Sequence, residues 1–517
     1  MLYQRLPPAL YSLLVAYTVA ISGMCIAYDV VVMNAVLLMP DFLLMANTTK
    51  QETLAFLSSV LLIGAAIGTL PSAWLADKLG RRAPISIGAL LYVVGTGVQL
   101  GADKRAITLA GRAISGVGVG FMALCCSLYT AEMSTSSNRG MLTSLQQFFQ
   151  VKEVLIAAFV VYTSTKDNFG EEKQWKMPVG VSMGPAVILM VMIWLMPESP
   201  RWLMMRGREA EAIHALAKFH SRGDVKDTYV CAQAADIKAA CLSSRAQGDA
   251  LRSIFRSKAG RKRFAIGSLI AASGQVTGQS LVQYYQPAIY RALNFSLKRT
   301  LLFQCAHAGV GLVGTCFAIA LMDRLGRRFL AVISMGLCAI GLAGAMVTIE
   351  RWPIESLKGD RDTGHYAHLG FTWLFYFAFN AGIGPVTYTY ATEIFNTPAR
   401  SLGSGFILLT SWFANFMITQ GASKGFEKLS WKYFLIFLVL AALNGLFLLL
   451  GMPETRGRTL EEMDEYWGEE DMQRMIVLGR RTGRVGRMER EMELRSGLVR
   501  RLQVESLGLE LKGNSQA

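Results

Sequence analysis

Asp29 is the only carboxylate in an apolar run that extends from about Tyr11 to Val36. An ionised acid there costs several kcal/mol unless it is paired or hydrated, which marks it as a functional candidate. Arg112 offers a permanent cation inside the glycine-rich stretch 111–120 of another apolar run, where the glycines form a small-residue stripe for close helix contact. A carboxylate beside an arginine, alternating between ion pair and protonated form, couples protonation to conformation. The plainer alternative is a structural ion pair near a helix end. A third constellation occurs twice: Asp77-Lys78-Leu79-Gly80-Arg81-Arg82 and Asp323-Arg324-Leu325-Gly326-Arg327-Arg328, each between two long apolar runs. So short a charged segment does not cross hydrocarbon. Each copy therefore marks a loop at a membrane face, its glycine permitting a tight turn and its arginines anchoring helix ends and meeting carboxylates.

The elements that position these residues are apolar helices. The chain is 52% hydrophobic and 17% charged, which excludes a set of soluble domains. Twelve runs of spanning length fall near 11–36, 54–74, 84–102, 107–129, 141–163, 178–196, 264–290, 301–322, 329–349, 369–391, 402–421 and 432–452. An all-α membrane protein is expected. The first run is too long for a cleavable leader. Two stretches are too polar to be buried, roughly 200–262 and 453–517. Within the first, 207–216 has the spacing of a short amphipathic helix. The second reads as charged helix or disorder.

The formal charge of +15 is concentrated in the central stretch and the tail. Contact with an anionic lipid leaflet explains it, and no nucleic-acid partner is expected. By parity the two basic stretches fall on one side, which puts both termini in the cytoplasm. Two sequons, at Asn47 and Asn294, agree by falling on outside loops. The eight cysteines suggest no disulfide framework, and the five histidines lack metal-ligand spacing. No nucleophile–base set, phosphate loop or metal cluster is present. Neither an enzyme nor a cofactor is expected.

Further motifs narrow the reading. They are Tyr129-Thr130-Ala131-Glu132 with Arg139-Gly140, and Pro197-Glu198-Ser199-Pro200-Arg201-Trp202-Leu203. After them come 274–285, Gly384-Pro385-Val386-Thr387-Tyr388, Glu393 with Arg400, and 453–462 beginning Pro453-Glu454-Thr455. In this order, and with the doubled D-x-x-G-R-R turn, the chain resembles the sugar porter branch of the major facilitator superfamily from roughly Tyr11 to Glu462. Met33-Asn34-Ala35, the seventh run and 217–224 look most like fungal-type lactose permeases.

The resemblance implies twelve transmembrane helices in two six-helix pseudo-repeats, residues 1–196 and 263–452, with a cytoplasmic loop at 197–262 and a cytoplasmic tail at 453–517. It places Arg112 opposite Asp29 as a proton-coupling pair. Asp77, Arg81, Arg82, Glu132, Arg139, Glu198, Arg201, Asp323, Arg327, Arg328, Glu393, Arg400 and Glu454 would form gating ion pairs at the inner face. Gln147, Gln275, Gln279, Tyr284, Tyr285, Tyr388, Trp412 and Asn415 would bind the solute, amides pairing with hydroxyls and rings stacking on C–H faces. Helix–helix hydrogen bonding is the competing use of each.

The sequence departs from the family at Ser127, Gly274 and Gly311. It also places Lys152-Glu153 inside the fifth run, where the two charges would pair across the bundle or with Asp29, or face a water-filled cavity. A monomeric plasma-membrane proton symporter importing a sugar or related polyhydroxy solute is expected. Alternatives are a proton-independent facilitator, a non-transporting sugar sensor, for which the tail is short, and an exporter of a secondary metabolite.

Overall fold

A computed structural model describes residues 7–37, 39–48, 50–135, 138–164, 171–247, 250–280, 282–283, 297–351, 363–395, 399–429 and 432–457. Residues Met1–Met463 form one unit, and the remainder, Asp464–Ala517, lies outside the described residues. Regular structure among the described residues is helical throughout, and eleven helical spans are long and apolar enough to cross a membrane.

The first five apolar runs become α1 (Pro8–Val36), α3 (Gln51–Leu79), α4 (Arg82–Leu100), α5 (Arg105–Met133) and α6 (Arg139–Ser164), with the short α2 (Pro40–Ala46) after α1. The sixth run is split into α7 (Glu171–Val181) and α8 (Met183–Met192). Four helices fill the central polar stretch: α9 (Pro200–Met205), α10 (Glu209–His220), α11 (Thr228–Gln247) and α12 (Ala250–Arg256). The second half comprises α13 (Lys258–Val276), α14 (Leu297–Leu325), α15 (Arg327–Arg351), α16 (Thr363–Ala381), α17 (Ile383–Glu393), α18 (Arg400–Leu429) and α19 (Lys432–Gly451). The seventh run, 264–290, begins in α13, and its part beyond Gln283 lies outside the described residues. It is the one run of the twelve that does not appear among the eleven spans.

The tenth run breaks between α16 and α17 for a local reason. Pro385 lacks an N–H and its ring excludes the carbonyl four residues back. Gly382 accordingly leaves the helical region at φ −144°, ψ −87°. Ser334 of α15 repairs the break, its Oγ accepting the Ile383 N–H at 3.1 Å while donating to the Ala378 carbonyl at 2.8 Å.

The glycine stripe of α5 serves two neighbours. A Cβ on Gly116 would lie 2.3 Å from the Leu61 carbonyl of α3, and one on Gly118 would lie 2.4 Å from the Gly88 carbonyl of α4. Backbones this close leave room only for hydrogen, so α3, α4 and α5 pack as a tight trio. The central stretch is folded rather than loose. Trp202, Leu216, Val230 and Ile237 share one apolar cluster, and the Phe219 ring lies 5.2 Å from that of Tyr11 at the start of α1.

Candidate functional site

The two D-x-x-G-R-R turns have nearly the same atomic plan. Gly80 and Gly326 both adopt φ +94°, a left-handed value that suits glycine. In the first turn the Glu198 carboxylate accepts the N–H groups of Arg81, at 2.8 Å, and of Arg82. In the second, Glu454 accepts those of Arg327 and Arg328 at 2.9 and 3.0 Å. Arg81 forks onto Glu132 at 2.8 and 3.0 Å and reaches Asp77 at 3.2 Å. Arg327 meets Glu393 at 3.1 Å and Asp323 at 2.9 Å. Ser199 and Thr455 complete the match by donating their hydroxyls to Glu132 and Glu393. Burial works against the charge of Arg81, but the Glu132 carboxylate, with Asp77 and Glu198, outweighs it and raises the guanidinium pKa.

The sequence expectation of gating ion pairs is modified at Glu198, Glu454, Arg82 and Arg328: the two glutamates act on Arg81 and Arg327 electrostatically, but their close contacts are to backbone. The two glutamates hold backbone N–H groups, because the left-handed glycine turns those donors towards them. Arg82 and Arg328 donate to the Trp194 and Leu449 carbonyls within their own halves, and form no ion pair among the described residues. Contacts between the halves come from other groups. Asp323 accepts the Gly140 and Met141 N–H groups at the start of α6, at 3.1 and 2.7 Å. Ser401 at the start of α18 donates to Asp77 at 2.6 Å. Arg139 lies 3.7 Å from Glu393, and Arg400 is within electrostatic reach of Glu132. Arg201 is buried in α9, directly after the Glu198-Ser199 corner. Below these groups an apolar plug of Ala73, Leu124, Leu128 and Leu408 also joins the halves.

Beyond the plug a cavity of about 100 Å³ lies between the halves. Of the eight residues assigned to the solute, Gln147, Gln275, Gln279, Tyr388, Trp412 and Asn415 all line it. Tyr284 and Tyr285 lie outside the described residues. Gln147 bridges the halves by donating to Asn380 at 3.0 Å, and Gln275 donates to Ser411 at 3.1 Å. Two buried polar atoms on this wall have no partner, Gln279 Oε1 and Trp412 Nε1, while Gln150 lies within reach of the Tyr388 hydroxyl. Gln150, Gln283 and Ser411 also line the cavity and were missed from sequence. The signal for Gln150 was available, since it stands three residues after Gln147 on the same helical face.

Asp29 and Arg112 do meet. Arg112 Nη1 lies 3.2 Å from Asp29 Oδ2 with both side chains buried, and Arg112 also donates to the Ser58 carbonyl at 3.0 Å. The pair lies in the first half alone, joining α1 to α5. Asn47 is exposed and ends α2 in a left-handed conformation at φ 46°. Asn294 lies outside the described residues. Among the described residues no cluster of His, Cys, Asp and Glu could hold a metal ion.

The chain matches the family described as "Sugar (and other) transporter" over residues 15–467. It is 26% identical over 481 residues to a high-affinity glucose transporter of Kluyveromyces lactis, covering 90% of this chain and 86% of that protein. It is likewise 26% identical over 464 residues to an arabinose-proton symporter of Bacillus subtilis, covering 88% and 95%. Among solved structures, the proton:xylose symporter XylE bound to 6-bromo-6-deoxy-D-glucose is similar with a TM-score of 0.79 at 24% identity, covering 89% of this chain and all of that one. The inward-open form of XylE from E. coli is similar with a TM-score of 0.66 at 22% identity, covering 88% and 100%.

Proposed function

The chain belongs to the sugar transporter family, and from that premise we propose that it imports a sugar or related polyhydroxy solute by alternating access, driven by protons. The observation that carries the solute class is the amide-rich cavity wall with its two partnerless polar atoms. Buried polar groups are rarely left unpaired in proteins, and a ring of hydroxyls supplies both donors and acceptors to them. Trp412 and Tyr388 add the flat faces on which C–H groups of a pyranose stack.

In this reading Asp29 and Arg112 are the coupling pair. Ionised Asp29 holds Arg112, tying α1 to α5 and disfavouring passage of the empty carrier. Protonation removes the attraction and lets the loaded carrier turn. A proton moving down 100 mV and one pH unit releases about 3.7 kcal/mol, enough for an accumulation of several hundred-fold. The turns form the inner gate, on the side where both termini lie, in the plasma membrane. Asn47, exposed on the other side, would carry a glycan. The protein works as a monomer.

The test is uptake into vesicles with an imposed proton gradient and a protonophore control, first across a panel of sugars. Asp29→Asn should abolish accumulation and flatten the pH dependence while downhill exchange survives. Protonophore-sensitive accumulation by that variant equal to wild type would place the proton elsewhere. Gradient-independent equilibration by the wild type would make the protein a facilitator.

A further inference from the structure

The two charges of the fifth apolar run part company in the fold. Lys152 turns to the Phe149 ring, its Nζ 4.3 Å from the centroid. Glu153 points inward, 2% exposed, and its Oε2 is buried with no hydrogen-bond partner. It forms no ion pair among the described residues. The two cavities lined by α6 do not include it. It faces α1 instead, where Cys25 and Tyr28 lie within electrostatic reach of both Glu153 and Asp29. A second buried acid therefore shares the neighbourhood of the Asp29–Arg112 pair, with no cation at ion-pair distance among the described residues.

The surroundings offer few ways to neutralise it. On α1 the titratable groups are Cys25, Tyr28 and Asp29, and on α5 they are Arg112 and Cys126. Arg112 is engaged by Asp29 and the Ser58 carbonyl. On α14 it is His307, whose ring stacks on Tyr376 at 3.9 Å. On α17 it is Tyr388, and on α7 it is Lys176, set over the Trp175 ring. On its own helix, Lys152 is set over the Phe149 ring, and its charge reaches the carboxylate without forming an ion pair. A carboxylate in such a place needs either a cation or a proton, and a bare charge is the costliest option. With Lys152 acting only at a distance, the neutraliser at the carboxyl itself is a proton.

We infer that Glu153 is a second proton-exchanging group of the transport cycle, acting beside Asp29. The inference rests on the proton-coupled reading above and deepens it. When the halves rock, α6 moves together with α1 against the second half. Glu153 takes a proton while its surroundings open to one face and releases it when they open to the other, so that it adds one proton to that carried by Asp29, with no bond to solute formed or broken.

The experiment compares wild type with Glu153→Gln and Glu153→Asp in proteoliposomes, using whichever sugar the uptake panel identifies. The reading is the number of protons moved per solute, from the solute gradient that balances a known proton gradient, together with the pH profile. Glu153→Gln should lower the ratio by one and remove one titrating limb, while still exchanging solute downhill. Glu153→Asp should restore both. An unchanged ratio and profile in Glu153→Gln would overturn the inference. So would loss of exchange in both directions by Glu153→Gln in correctly folded, reconstituted protein, since that would mark a merely structural residue. A wild type that moves no protons would sink the proton-coupled reading itself, which is a different outcome.

Discussion

Replacing Asp323 by Ala should open the inner gate. Asp323 is the second-half residue that takes two N–H groups from the first half, at 3.1 and 2.7 Å from Gly140 and Met141. Its bond to Arg327 lies within one half and is kept in either state, so it does not enter the difference. Hydrogen bonds to a charged acceptor contribute about 1.5–3 kcal/mol each net. The carboxylate is 19% exposed, so water recovers part of the loss. A total of about 2–4 kcal/mol remains, which shifts the closed-to-open ratio by roughly 30- to 1,000-fold. Asp323→Asn keeps an acceptor but loses the charge, and should give an intermediate shift. The assay uses a single thiol, Ala73→Cys, in a cysteine-free background. Ala73 is fully buried in the plug under the gate. Labelling by a membrane-impermeant maleimide from the turn side should quicken in the order wild type, Asp323→Asn, Asp323→Ala. Equal rates in all three would refute the assignment of Asp323 to inter-half closure.

Two other outcomes are expected. Gln275→Ala should weaken binding of the transported solute by roughly 1–3 kcal/mol, with Asn415→Ala acting in the same direction, and unaltered apparent affinity in both would remove these residues from the solute site. His220 ends α10 outside the spans, and burial lowers its imidazole to about 4, with Asp227 opposing. Because the unfolded value is near 6.5, the folded loop binds fewer protons than the unfolded one in that window. Its stability is full above about 6.5 and is lost as pH falls towards 4. Amide exchange in α10 and α11 should therefore quicken across that range, and His220→Gln should remove the trend.

The parts of this fold visible from sequence are those set by local chemistry. Hydropathy alone located the spans, because a helix crossing hydrocarbon must be apolar over a fixed length. The cavity amides and the Asp29–Arg112 pair were legible through resemblance, and the structure brings the described ones together. What sequence could not show was partner choice. Glu132 and Glu198 look alike as isolated acids. Only the left-handed turn at Gly80, which aims two N–H groups at Glu198 and leaves the guanidinium for Glu132, tells them apart. The irregular turn at Ser182 and the break at Gly382 were likewise hidden inside continuous apolar runs. Gly384-Pro385 marked the second in retrospect, but a proline in a membrane helix does not by itself say whether the chain bends or breaks.

The two halves are alike in their turns and unlike in their interiors, and the difference bears on coupling. The proposed proton pair and Glu153 sit on α1, α5 and α6, all in the first half. The proposed solute wall takes Gln275, Gln279, Ser411, Trp412 and Asn415 from the second half and Gln147 and Gln150 from the first. On that reading, energy exchanged between proton and solute passes through α6 and through contacts that join the halves. The structure offers a short set. Gln147 meets Asn380 at the cavity, and the Thr143 and Thr389 hydroxyls meet at 2.7 Å nearer the gate. Towards the opposite face, Asn34 donates to the Gln283 carbonyl at 3.4 Å. Gln147 and Thr143 stand on α6, the helix that also carries Glu153 and whose first turn is held by Asp323. A rigid movement of α6 would thus act together on the gate and on the proposed solute and proton sites, which is the minimum that proton-coupled transport requires.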